Sequence, residues 1–202
     1  MGGDWYDAVP GTRGGLTAVI GDVAGHDMAA AARMGQLRSM SRAYAVDRNE
    51  SPSALLRRLD AANHRLGDPS IATAVVAMLD PTDGGYRLRW ANAGHPPPLL
   101  IGPDGEVQSL TGHDILLGVR QYARRHTWTC PLPPGATVLL YTDGLVERRG
   151  RSLDDGIARL RGRLTGSGRG SLAEVLEAAA AMDTEQTDDI AMLAIRVPGQ
   201  FG

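Results

Sequence analysis

The spacing of apolar residues changes near Leu66, and this restricts the fold more than any other feature of the chain. Ahead of that point, His26 to Ala45 is rich in Ala and Met and free of Pro. This predicts a helix of about five turns with Asp27 at its N-cap position. Ser51 and Pro52 open a second helix that runs to Leu66, with Leu55, Leu56, Leu59 and Ala62 at helical spacing. Beyond it the pattern turns strand-like. Ile71 to Leu79 and Tyr86 to Ala93 flank a turn over 80–85, and Leu99 to Ile101 and Glu106 to Leu110 flank Gly102-Pro103-Asp104-Gly105. Arg124 to Cys130 alternates, and Ala136 to Thr142 is continuously apolar. Leu16 to Val23 is a further buried strand ahead of the helices. Leu153 to Leu164 and Leu172 to Met182 read as helices separated by a flexible link over 166–170, and Ile190 to Val197 is a closing strand. Helices and strands come in blocks, so the sequence predicts an α+β fold with mainly antiparallel sheets rather than a doubly wound parallel one.

Length and composition exclude several classes of function. A length of 202 residues suits one compact domain or at most two small ones, and a chain of this size buries roughly 70% of its unfolded surface without disulfide or metal staples. The formal net charge is −2 and no basic run occurs, which argues against a nucleic-acid or membrane-surface partner. All 21 basic residues are Arg, so lysine Schiff-base and P-loop chemistry are excluded. Cys130 is the one cysteine, too few for a disulfide framework or a thiolate zinc site. Ala136 stands where a cysteine phosphatase loop needs Arg, so Cys130 reads as a small apolar strand residue. His64 and His126 lack partners at ligand spacing and read as surface or packing residues. The His26-Asp27 and His113-Asp114 pairs resemble the His-Asp pair of helical metal phosphohydrolases, but those folds are all-helical and this chain is rich in strands. No apolar run reaches the ~18 residues of a membrane span and no signal peptide opens the chain. A cytoplasmic protein is the resulting expectation.

The chemistry lies in where the aspartates fall. Asp22 ends the apolar run from Leu16, Asp143 follows Ala136 to Thr142, Asp188-Asp189 precede Ile190, and Asp4 and Asp7 bracket Trp5-Tyr6. Each sits at a strand end or a glycine turn, where a carboxylate can lean from a rigid sheet toward a shared point. Several Asp oxygens with few His and no thiolate set suit a hard cation, Mg²⁺ or Mn²⁺. Two such ions about 3.5–4 Å apart can activate water and clamp a phosphoryl group. Asp before Gly is also an ordinary turn residue, and composition alone leaves both readings open.

Taken in order, Gly2-Gly3-Asp4-Trp5-Tyr6-Asp7, Gly21-Asp22-Val23-Ala24-Gly25-His26, Ala91-Asn92-Ala93-Gly94-His95-Pro96-Pro97-Pro98, Tyr141-Thr142-Asp143-Gly144-Leu145-Val146-Glu147 and Thr187-Asp188-Asp189-Ile190-Ala191 resemble the bacterial SpoIIE/RsbU branch of the PPM (protein phosphatase 2C-like) Ser/Thr phosphatases. The likeness covers nearly the whole chain. It implies a four-layer α-β-β-α sandwich of two antiparallel sheets flanked by helices, spanning 1–202 as a single domain. It also implies two Mn²⁺ or Mg²⁺ ions and attack by a metal-bridging water. Asp22 matches the acid that bridges both metals, Val23 the residue that lends its carbonyl, and Asp143 a ligand of one metal. Asp188 matches the C-terminal ligand with Asp189 as the fallback, and Asp4 an acid on the second metal, with Asp7 a weaker candidate. His95 lies in a motif of the branch, with loop shaping and catalysis equally open as its role.

The sequence departs from the family pattern twice. Asp27 replaces the glycine that usually follows Gly-His, and the strand that normally precedes Gly-Gly-Asp is missing. The loaded opening segment leads us to expect a C-terminal fragment of a longer regulatory protein with an upstream sensor domain. The substrate implied by the resemblance is phosphoserine or phosphothreonine on a regulatory protein, such as an anti-sigma-factor antagonist. A catalytically weak or inactive binding module is the alternative, a small-molecule phosphatase is a further one, and a homodimer is left open. Asp27 followed by alanines reads as a helix cap, with an outer metal ligand as its alternative. The helix from His26 reads as plain core, with a regulatory element as its alternative.

Overall fold

The computed structural model describes residues 2–11, 14–182 and 189–199. In chain order the elements are β1 (Trp5–Pro10), β2 (Leu16–Val23), α1 (Met28–Asp47), α2 (Pro52–Arg65), β3 (Ala72–Thr82), β4 (Gly85–Ala93), β5 (Leu99–Ile101), β6 (Val107–Ser109), β7 (Trp128–Leu132), β8 (Thr137–Tyr141), α3 (Leu153–Leu164), α4 (Leu172–Ala180) and β9 (Met192–Arg196). One sheet runs β1-β2-β3-β4-β7 and the other β6-β5-β8-β9, with every strand pair antiparallel. The expected α-β-β-α sandwich is present.

Period-two side-chain direction explains the layering. On β3, Ala72, Ala74, Val76 and Met78 face outward into a core shared with α1 and α2. Val75, Ala77 and Leu79 of the same strand face inward, against Val138 and Leu140 of β8. Leu139 and Tyr141 of β8 then point to the far side, onto Ile157 and Leu160 of α3 and Val175 of α4. Strands apolar on both faces are what a sandwich with helices on each side demands. The helices start where the sequence signals them. Ser51, Ser152 and Ser171 each accept a backbone N–H of the following turn, and Ser171 forms a capping box with Glu174.

Four local readings change. β1 was not foreseen: Trp5, Asp7 and Val9 are all buried while their neighbours are exposed, and the charged Asp7 hides the alternation. β1 has only β2 as a neighbour among the described residues, so it is an edge strand of this sheet. The β3–β4 turn is tighter than the six residues expected, because Asp80, Pro81 and Thr82 stay paired and only Asp83-Gly84 loop out. The link over 166–170 holds a turn of 3-10 helix at Ser167–Arg169. β7 begins at Trp128 rather than Arg124. Cys130 lies half-buried on β7 against the inter-sheet core, as a packing residue, and burial raises its thiol pKa. Among the described residues no helix is long and apolar enough to cross a membrane.

The residues just ahead of β7 are held by a buried charge instead of by strand pairing. Arg125 is buried and donates to Asp60 Oδ2 of α2 at 2.8 Å, to the Leu116 carbonyl at 3.2 Å and to the Ile115 carbonyl. Asp60 Oδ1 also accepts the Gly118 N–H at 2.9 Å. One buried ion pair thereby clamps the segment between β6 and β7 onto α2. Asp60→Ala leaves the guanidinium buried and unpaired, and should cost about 3–5 kcal/mol in urea denaturation. Asp60→Ala with Arg125→Met should recover part of that loss, whereas additive losses would show that the two groups are not coupled.

Candidate functional site

The ends of both sheets meet around the first residues of the chain. The Gly3 carbonyl accepts the Val23 N–H at 3.1 Å, drawing residues 2–4 against the end of β2. A Cβ on Gly3 would lie 2.6 Å from Asp22 Oδ1 and would overlap the Val23 carbonyl oxygen, so two oxygen donors crowd a space that only glycine leaves open. A Cβ on Gly2 would strike the Asp189 carboxylate, and one on Gly144 would strike the Asp189 carbonyl. Thr142 Oγ1 donates to Asp4 Oδ2 at 2.7 Å and accepts the Ala191 N–H at 2.8 Å. These contacts close a ring: Asp22 and Val23 to Gly3, Gly2 to Asp189, Asp189 to Gly144, and Thr142 back to Asp4.

Local sequence sets each member. Gly21 lies directly across from Trp5 on β1, and a Cβ there would run into the indole ring. The glycine before Asp22 thus lets Trp5 lie flat across β2. Asp143 opens a 3-10 turn, Asp143–Leu145, and its carbonyl accepts from Val146 at 2.8 Å and Glu147 at 2.7 Å. Asp4, Asp22 and Asp143 are half-buried and Asp189 is exposed, so the cluster sits on a solvent-facing rim.

Asp4, Asp22, Val23, Asp143 and Asp189 are brought to this one edge. Asp188 lies outside the described residues. Asp7 goes elsewhere: it is buried on the α1 side of the sheet, with Oδ1 accepting from Arg42 at 2.6 Å and from Ala8 N–H at 2.9 Å. Asp27 caps α1, its Oδ1 accepting the Ala30 N–H at 2.7 Å. Its φ is −91°, and the left-handed position falls instead on Gly25 at +109°. His26 and His113 are exposed, and His126 is a surface residue paired with Asp114 at 2.6 Å. Among the described residues no three His, Cys, Asp or Glu side chains form a ready cage for a metal ion. What the fold gathers is a mixed set of carboxylates and the Val23 carbonyl, the all-oxygen chemistry that suits a hard cation.

His95 ties the two sheets together beside this edge. Its Nε2 lies 3.0 Å from the Tyr141 carbonyl, which can only accept, so Nε2 carries the hydrogen. Nδ1 is therefore the acceptor, and Thr73 Oγ1 donates to it at 2.7 Å. The loop is held by Asn92, which accepts the His95 N–H at 2.7 Å and donates to the His95 carbonyl at 2.8 Å. Burial lowers the His95 pKa to about 4 against the raising effect of the Tyr141 hydrogen bond, and burial pushes the Tyr141 phenol up. A cleft of about 280 Å³ opens beside the loop, lined in part by Asn92, His95, Thr111, His113 and Asp154. Thr142 and Thr73 were missed in the sequence, where a hydroxyl on an apolar strand reads as filler.

A family model described as "Stage II sporulation protein E (SpoIIE)" matches residues 12–198. The RsbU and RsbW domains of Rv1364c from Mycobacterium tuberculosis are 29% identical, with a TM-score of 0.84 over 100% of this chain and 58% of that one. The SiaA PP2C domain of Pseudomonas aeruginosa is 25% identical, with a TM-score of 0.79 over 96% of this chain and 80% of that one. Protein IcfG of Synechocystis sp. is 26% identical over 228 residues, which is 96% of this chain and 36% of IcfG. The chain therefore spans about a third of that relative's length.

Two measurements follow from this geometry. An unfolded histidine protonates near 6.5 and His95 near 4, so between those values the unfolded chain binds the extra proton. Stability present above pH 6.5 should fall toward pH 4 by about 3 kcal/mol from this group. Urea midpoints across that range should show a shallower decline in His95→Gln than in the wild type. Asp27→Ala should cost about 1 kcal/mol as a lost cap, read as a lower melting temperature with an unchanged Mn²⁺ titration.

Proposed function

We propose, for a chain that belongs to the Stage II sporulation protein E (SpoIIE) family, that it is a metal-dependent protein serine/threonine phosphatase. The observation that carries this reading is the ring of contacts that runs from Asp22 and Val23 through Gly3 and Gly2 to Asp189, Gly144, Thr142 and Asp4 across the ends of both sheets, with Asp143 between Thr142 and Gly144. The donor set fits Mn²⁺ or Mg²⁺: its oxygens are hard, and the crowding at Gly3 sets a backbone carbonyl beside a carboxylate. Asp22 would serve two ions with the Val23 carbonyl beside it. Asp143 and Asp188 would hold one ion, with Asp189 as the fallback for Asp188, and Asp4 would hold the second. When bound, such a pair lowers the pKa of water and neutralises phosphoryl charge.

The chain's own residues do the rest. Thr142 orients Asp4 by donating to Oδ2, so the remaining Asp4 oxygen has a defined direction. Gly2 and Gly3 let backbone and carboxylates approach more closely than any side chain would permit. The solvent-facing rim leaves room for a phosphorylated segment of a partner protein, and a phosphoserine or phosphothreonine on an anti-sigma-factor antagonist is the substrate we propose. A span of about a third of IcfG supports the reading as the phosphatase portion of a longer regulatory protein with a sensor region upstream. The second reading, a catalytically weak binding module using the same surface, is favoured by the lack of a three-side-chain cage among the described residues.

Hydrolysis of p-nitrophenyl phosphate with Mn²⁺, compared with EDTA, separates the two readings. The phosphatase reading expects metal-dependent turnover that Asp22→Asn reduces by roughly 10²-fold or more with the fold intact. Asp143→Asn and Asp188→Asn should behave similarly and Asp189→Asn should hurt less. Turnover that ignores EDTA, or that survives Asp22→Asn, overturns the reading.

A further inference from the structure

The two sheets contribute opposite sides of the acid cluster. Asp22 lies at the end of β2 in the first sheet, and Asp143 follows β8 in the second. Between the sheets the packing is apolar, Ile20 and Val75 against Val138 and Leu140. Apolar contact sets the layer spacing but is non-directional, so it does not by itself hold one strand end at a given place relative to another. Hydrogen bonds do.

One side chain makes such bonds to both sheets at this end. Thr73 stands directly across from Asp22 in the β2–β3 register, and its hydroxyl donates to Nδ1 of His95 at 2.7 Å. Nε2 of the same ring donates at 3.0 Å to the carbonyl of Tyr141, the last residue of β8 and two before Asp143. The imidazole is planar and rigid, so its two nitrogens keep a constant separation. Asn92 fixes the ring's backbone through two further bonds, and the residue is 5% exposed, which shields the bridge from water.

We propose that His95 is a positioning residue, a rigid strut between Thr73 and Tyr141 that sets the separation of Asp22 from Asp143 and thereby the metal affinity of the cluster. The proposal rests on reading those acids as metal ligands. His95 itself touches neither acid. It acts through the strand ends that carry them, as groups behind a metal's ligands do when they orient those ligands.

The test is Mn²⁺ binding to the full chain by calorimetry, with the electron paramagnetic resonance spectrum of the loaded protein, at a temperature where circular dichroism shows every variant folded. Thr73→Val removes one end of the strut, and His95→Gln keeps a donor near the Nε2 position while losing the acceptor for Thr73. Both should weaken Mn²⁺ binding by roughly tenfold or more and alter the spectrum. Thr73→Ser restores the hydroxyl and should return the wild-type affinity. If His95→Gln does not fold, Thr73→Val, a change of one bond at a half-buried site, carries the test. Folded Thr73→Val with wild-type Mn²⁺ affinity and spectrum overturns the strut. A wild-type chain that takes up no Mn²⁺ overturns the ligand reading beneath it, so the two failures are distinguishable.

Discussion

Every feature of the candidate site depends on the contact between two sheets that are far apart in sequence. β2 and β8 are separated by more than a hundred residues, yet the acids that follow their apolar runs come to the same edge. The inter-sheet core supplies the driving force. Each of Ile20, Leu88 and Leu140 is fully or almost fully buried, and burial of such a side chain contributes about 1.5–3 kcal/mol. That energy fixes how close the sheets lie. Placement along the strands falls to the few directional contacts at the rim: Gly3 to Val23, Thr142 to Asp4, and His95 to Thr73 and Tyr141.

Most of the fold was legible because period and burial coincide. The runs Leu16 to Val23 and Ala136 to Thr142 are apolar on successive residues, as strands buried on both faces must be, and both were recovered nearly to the residue. The helix from Leu153 to Leu164 was recovered with both ends, because Ser152 caps it and its buried residues keep helical spacing. Readings failed where a charge sits inside. Asp7 is buried on the helix-covered side of β1 and has Arg42 as its partner, and Arg125 enters the interior with Asp60. A partner distant in sequence makes such a charge tolerable, and the one-dimensional pattern carries no sign of it.

The candidate site divides in the same way. The positions of Asp22, Asp143 and Asp189 at strand ends were readable, since the apolar run before the first two and after Asp189 marks the edge from which the carboxylate leans, whereas Asp4 stood out only by its place beside Trp5-Tyr6. The groups that arrange them were not. Thr142, Thr73 and Asn92 are common residues whose importance comes entirely from what lies across from them. Asp27 shows the opposite case, in which local chemistry suffices: a carboxylate three residues before the Ala30 amide caps the helix, independent of tertiary surroundings.

The elements flanking the site are anchored unequally. α2 buries Leu55, Leu56 and Leu59 completely or nearly so and adds the interior Asp60–Arg125 pair. α1 is longer, yet its buried residues are Ala30, Leu37 and Ser41. Its ion pair to β1 joins a buried Asp7 to an Arg42 that is 57% exposed, an arrangement that solvent screens more than it does Asp60 with Arg125. Opening free energies in a fold follow buried apolar contact and protected hydrogen bonds, so α1 is held less firmly than α2. The short connection from Asp22 through Gly25 to the Asp27 cap attaches the acid cluster directly to the less firmly held helix. The end of β2 that carries Asp22 is paired instead with β3, where Thr73 stands across from Asp22 and bonds to His95.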